Sequence, residues 1–185
     1  IPNYGEFYEK RWFASGAGME EHSFSVRVPE LEGEFGPWIE MFGACPLISC
    51  PDVSGLVIGV EICEDLWAAD APSRTLAERG ATLILNLSAS NEVVGKADYR
   101  RSLVCGQSAR LMCAYVYADA GEGESTTDLV FAGHDMIAEN GALLAESRFV
   151  TGLTVSEIDV QKLCCERRRV TTFPKAENIG WGEAR

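Results

Sequence analysis

Gly55-Leu56-Val57-Ile58-Gly59-Val60-Glu61-Ile62-Cys63-Glu64-Asp65-Leu66-Trp67 is the stretch that decides how this chain folds. Its first nine residues are short, apolar and β-branched, so they read as a buried strand. At a period of two, Leu56, Ile58, Val60 and Ile62 share one face, and Val57, Gly59, Glu61 and Cys63 share the other. A thiol at the carboxyl end of a buried strand sits where α/β folds carry their chemistry. The competing reading is a core cysteine, since free cysteine is among the most buried residue types.

Around this strand, helix and strand signals alternate. Ser73 caps a short predicted helix over 74–79, with Gly80 as its stop. A second buried strand follows at 81–87, a helix with a broad apolar face at 98–113, and a third strand at 115–118. The β-α-β-α-β order predicts an α/β fold. Short strand-like pieces follow at 129–131, 135–138 and 142–145. Asn140-Gly141 predicts a hairpin between the last two, because a type I′ turn needs positive φ at both central residues. A further strand is predicted at 153–158 and a helix at 160–169. The Gly-, Pro- and Glu-rich stretch 14–52 carries one predicted strand, at 24–28.

Composition narrows the function classes. The 185 residues suffice for one domain with a sizeable core. Lys+Arg 16 against Asp+Glu 28 leaves a net charge of -12, which argues against nucleic acid or an anionic membrane as the main partner. No apolar stretch approaches the roughly 20 residues that span a bilayer. The seven cysteines are odd in number and none has C-x-x-C spacing, so no structural metal site is expected and a reducing cytoplasm is the simplest compartment. The start lacks an initiator Met, which fits a processed chain or part of a longer one.

Other sites compete weakly. Gly121-Glu122-Gly123-Glu124-Ser125 has no Lys after its second Gly, and its glutamates would repel phosphate. Arg167-Arg168-Arg169 reads as a solvated face at a helix C-terminus. His134 could partner Cys63, but nothing in its surroundings marks it. Cys63 makes its own demand: Glu61, Glu64 and Asp65 place negative charge near the thiol and raise its pKa. A nucleophilic Cys63 therefore needs a base for its proton and donors for an oxyanion.

Five blocks carry a family resemblance: residues 1–11 (IPNYGEFYEKR), 59–67 (GVEICEDLW), 85–90 (LNLSAS), 120–128 (AGEGESTTD) and 133–146 (GHDMIAENGALLAE). They resemble the nitrilase, or carbon-nitrogen hydrolase, superfamily. The first and fourth narrow this to the glutaminase domain of the glutamine-dependent NAD synthetases. The resemblance implies a nitrilase-like four-layer α-β-β-α sandwich that lacks its N-terminal part. It assigns 1–170 to a partial glutaminase domain and 171–185 to an arm toward an absent synthetase domain.

The resemblance also implies a Glu-Lys-Cys catalytic set. Cys63 matches the nucleophile that cleaves the glutamine side-chain amide, supplying ammonia for ATP-dependent conversion of deamido-NAD to NAD. Glu9 matches an auxiliary glutamate. Tyr4, Ser90 and Lys96 match positions lining the glutamine pocket, with Lys96 toward the substrate carboxylate. The Glu64 backbone N–H matches an oxyanion donor, and Trp67 is either a pocket wall or a core aromatic. The family's lysine and general-base glutamate are expected ahead of Ile1. No cofactor is implied for this domain, and ATP and magnesium belong to the synthetase domain. Glutamine, that synthetase domain and further copies of the chain in a homo-oligomer are the implied partners. A non-catalytic nitrilase-like assembly module and a stand-alone amidase are the alternative readings.

Overall fold

The computed structural model describes residues 47–124 and 129–174, together with the backbone of two strands, β1 (Ser23–Arg27) and β2 (Trp38–Phe42). These two pair antiparallel, with Ser25 opposite Glu40. β1 lies one residue ahead of the strand predicted at 24–28.

Six strands form the main sheet: β3 (Leu47–Ser49), β4 (Val57–Ile62), β5 (Leu83–Ser88), β6 (Ala114–Asp119), β7 (Asp135–Glu139) and β8 (Ala142–Ser147), in that spatial order. β4, β5 and β6 run parallel, and β3, β7 and β8 add antiparallel edges. Parallel neighbours need crossovers. Helix α1 (Pro72–Glu78) links β4 to β5, and α2 (Lys96–Leu111) links β5 to β6.

Both helices pack on one face of the sheet. Gly59 lets α1 approach β4: a Cβ there would lie 3.0 Å from Leu76 Cβ and 3.2 Å from Ile84 Cδ1. Leu76, Ile84, Val104, Tyr115, Tyr117 and Met136 are fully buried in this layer. On the opposite face Ile58, Val60, Leu83, Leu85 and Val116 are only half-buried and Leu87 is exposed. A sheet with apolar residues on both faces is built to be covered on both.

Asn140 (φ 46°) and Gly141 (φ 89°) form the predicted hairpin turn between β7 and β8. Gly141 has a second reason to lack a side chain, since a Cβ would meet Ala109 Cβ of α2 at 2.8 Å. Helix α3 (Val160–Arg169) sits as predicted.

Several expectations need correction. Ser73 is not the cap of α1; the cap position is Ala71, with Pro72 in the first turn. The orphan N–H of Ser73 is taken instead by the Glu61 carboxylate at 2.8 Å, so no local cap is required. Residues 153–158 run without a strand partner among the described residues, because alternation alone does not supply one. At 129–131 the only ladder contact among the described residues is a single bridge from Phe131 to Asn91. Arg167 is not on a solvated face. Its guanidinium donates to the carbonyls of Met112 (2.9 Å) and Leu111 (3.0 Å), capping the end of α2, and to that of Ala81 (2.6 Å) just ahead of β5.

Candidate active site

Register brings the site together. β4 and β5 pair Ile62 with Leu87, so the next step along each strand sets Cys63 level with Ser88. Ser88 in turn is level with Asp119 of β6. Three parallel strands thus end at one place, and the chain turns sharply there. Residues Cys63–Trp67 form a 3-10 turn, closed by Asp65 Oδ2 accepting the Ile62 N–H at 2.9 Å.

Cys63 opens that turn at φ 52°. A non-glycine residue at positive φ is uncommon and is retained where surrounding structure enforces it. The residue is 7% exposed. Ser88 Oγ donates to Cys63 Sγ at 3.3 Å. A hydroxyl has one hydrogen, so the 2.6 Å contact between Ser88 Oγ and Tyr117 Oη has the tyrosine as donor.

Two influences compete on the sulfur. Burial pushes the Cys63 thiol up, while Ser88 and the backbone N–H groups of Ala89 and Glu64 favour the thiolate and offset part of that rise. Glu64 adds to the rise through its charge. Cys63 is thus a shielded thiol with donors already aimed at its anion; its pKa is raised as expected, but chiefly by burial, with Glu64 the one of the three neighbouring carboxylates that contributes.

The carboxylate of Glu61 does not face the sulfur. It lies buried behind it, accepting from Tyr115 Oη and from the Ser73 N–H. Burial raises its pKa, partly offset by those two donors.

Of the residues implied for the glutamine pocket, Ser90 and Trp67 flank Tyr117, and Lys96 lies beside Trp67. The Trp67 and Tyr117 rings lie 6.2 Å apart at 58°. Lys96 Nζ stands 5.9 Å over the Trp67 ring and donates to Asn91 Oδ1. Ser90 is buried; its N–H donates to Asp119 Oδ1 at 2.8 Å, and its hydroxyl interacts with Tyr117. Glu64 follows Cys63 within the turn. Tyr4 and Glu9 lie outside the described residues.

His134 is not a partner of Cys63. Its Nδ1 faces Arg100 NH1 at 2.8 Å and its Nε2 faces Glu146 Oε1 at 2.6 Å. A guanidinium only donates, so Nδ1 is the acceptor and Nε2 carries the hydrogen. Arg100, fully buried, also donates to Ser90 Oγ (3.1 Å) and to the Asn91 carbonyl (3.2 Å). It ties the loop after β5 to α2. Sequence reasoning missed Arg100, Asn86, Ser88 and the two tyrosines. The available signal was the alternation of Asn86 with Ser88 and of Tyr115 with Tyr117, which places each pair on the face that Cys63 shares.

No family model matches the chain. A glutamine-dependent NAD(+) synthetase of Mycobacterium leprae is 46% identical over 176 residues, covering 94% of this chain and 24% of that protein. The chain belongs to the glutamine-dependent NAD synthetase family. Among solved structures, a glutamine-dependent NAD(+) synthetase from Cytophaga hutchinsonii matches 84% of this chain and 23% of its own, with TM-score 0.59 and 31% identity. A Nesterenkonia amidase from the nitrilase superfamily has TM-score 0.54 at 22% identity, covering 68% of this chain and 47% of its own, and so shares the fold. The chain spans about a quarter of the length of the synthetases it matches.

Proposed function

We propose that this part of the family's polypeptide hydrolyses the side-chain amide of glutamine, with Cys63 as nucleophile. The observation that carries the reading is the Cys63 sulfur itself. It is held at positive φ at the end of a parallel strand, with Ser88 and two backbone N–H groups favouring its anion.

Burial keeps the thiol protonated at neutral pH, so a base must take its proton as sulfur attacks the amide carbon. The carbon–nitrogen bond then breaks, and the nitrogen leaves as ammonia after gaining a proton. Water cleaves the resulting γ-glutamyl thioester, giving glutamate and restoring the thiol. The Glu-Lys-Cys set implied by the family would supply the base and a cation. Glu9 and Tyr4 would join the same site, and the Glu64 N–H would steady the oxyanion. Trp67, Ser90 and Lys96 would line the pocket, Lys96 serving the substrate carboxylate. The ammonia would pass to a synthetase domain that uses ATP and magnesium to amidate deamido-NAD; the glutaminase step itself needs no cofactor.

A purely structural module has no use for a strained thiol surrounded by donors, which favours the enzymatic reading. In the full-length protein, Cys63→Ala is expected to abolish glutamine-supported NAD formation and to spare formation from free ammonia. Retained glutamine use would overturn the proposal.

A further inference from the structure

The backbone of Cys63 is gripped from the side by Asn86. Asn86 Oδ1 accepts the Cys63 N–H at 3.0 Å, and Asn86 Nδ2 donates to the Cys63 carbonyl at 3.2 Å. The second Nδ2 hydrogen goes to Tyr115 Oη at 3.1 Å. Tyr115 donates its own hydroxyl hydrogen to Glu61 Oε1, and the other Glu61 oxygen accepts the Ser73 N–H. Asn86 and Tyr115 are fully buried, and Glu61 is 2% exposed.

Donor and acceptor rules fix the direction of every bond. A backbone N–H only donates and a backbone carbonyl only accepts, so Asn86 Oδ1 must face the Cys63 nitrogen and Nδ2 the carbonyl. A flipped amide would set donor against donor and acceptor against acceptor. Both Nδ2 hydrogens are then committed, and Tyr115 is held by a carboxylate that is itself anchored on α1. Residues 61, 86 and 115 come from three adjacent parallel strands on the face that carries Cys63. A left-handed conformation at a non-glycine residue persists only where its surroundings over-determine it, and this clamp acts on the residue that adopts it.

We infer that Asn86 is a positioning residue for the nucleophile. Its amide fixes both backbone groups of Cys63, and Tyr115 and Glu61 behind it stop the amide from turning. The sulfur therefore meets the substrate from a set direction. This rests on the reading of Cys63 as the glutaminase nucleophile. A nucleophile displaced by about 1 Å loses on the order of 100-fold in rate. The amide points at the Cys63 backbone and at Tyr115, so substrate affinity should change little.

The test uses the full-length protein, with steady-state glutamine hydrolysis and inactivation by an electrophilic glutamine analogue. Asn86→Asp keeps the shape and the acceptor while replacing the donor that faces the Cys63 carbonyl. It is expected to lower kcat about 10- to 100-fold with KM within about threefold, and to slow the maximal inactivation rate without weakening analogue binding. Tyr115→Phe removes the brace without touching Cys63, and a smaller loss of the same kind, about three- to tenfold, is expected. It carries the test alone if Asn86→Asp does not fold. Thermal melts of each variant separate positioning from loss of folded protein. Wild-type inactivation rates in the folded variants, with wild-type Cys63 still labelled, would overturn this inference alone. Failure of the wild-type protein to label at Cys63 would overturn the glutaminase reading and this inference with it.

Discussion

Ser88 and Asn86 surround Cys63 although they lie 25 and 23 residues beyond it in the chain. Cys63 itself was legible, because a cysteine ending an apolar β-branched run beside acidic residues is an unusual pattern. Its neighbours were not, since a serine or asparagine near a strand end has many ordinary uses. Only the parallel register of β4 and β5 sets them beside the sulfur. Hydrogen bonds to charged groups contribute about 1.5–3 kcal/mol, and one pKa unit corresponds to about 1.4 kcal/mol. Ser88→Ala removes a donor that favours the Cys63 thiolate. The thiol pKa, already raised by burial, is then expected to rise further. Alkylation of Cys63 by iodoacetamide should fall about tenfold at pH 7, with its pH profile moved toward alkaline values. An unchanged profile in a folded variant would remove Ser88 from the account.

At the scale of elements, periodicity located β4, β5, β6, the β7–β8 hairpin and α3 within a few residues. It failed where long-range contacts decide. β3 is only three residues long, too short for a periodic signal. The Ser73 cap was displaced by Glu61 from a neighbouring strand, and Arg167 was drawn into the structure by the unsatisfied carbonyls at the end of α2. Gly59 shows how tightly α1 seats on β4. Gly59→Ala would place a methyl 3.0 Å from Leu76 Cβ and 3.1 Å from Leu76 Cδ1. Overpacking of this kind costs about 1–3 kcal/mol. Urea melts should show that loss, and a melt at the wild-type midpoint would mean that α1 moves freely.

For the whole molecule, the α/β order was legible from the sequence, and the sheet it predicted carries the site at the carboxyl ends of its parallel strands. Its apolar rear face fits the second sheet of a four-layer sandwich, a matter of tertiary packing that periodicity leaves open. The same burial sets a pH limit. Cys113, fully buried, has its thiol pushed up to about 12 by desolvation, and burial also raises Tyr115 and Cys63. A group whose folded pKa is raised binds its proton more tightly in the native state. Stability from Cys113 is fully present below the ordinary thiol pKa of 9.0 and is lost as pH rises toward about 12. Urea midpoints should therefore fall steadily above about pH 9, and Cys113→Ala should flatten that fall. A midpoint constant from pH 8 to 11 would contradict the buried-thiol description.

The most direct test of the central claim is exposure of the full-length protein to an electrophilic glutamine analogue, followed by intact-mass measurement and peptide mapping. One adduct per chain, on Cys63, is the predicted result. No adduct, or an adduct on another cysteine with Cys63 unmodified, would contradict the assignment of Cys63 as the glutaminase nucleophile.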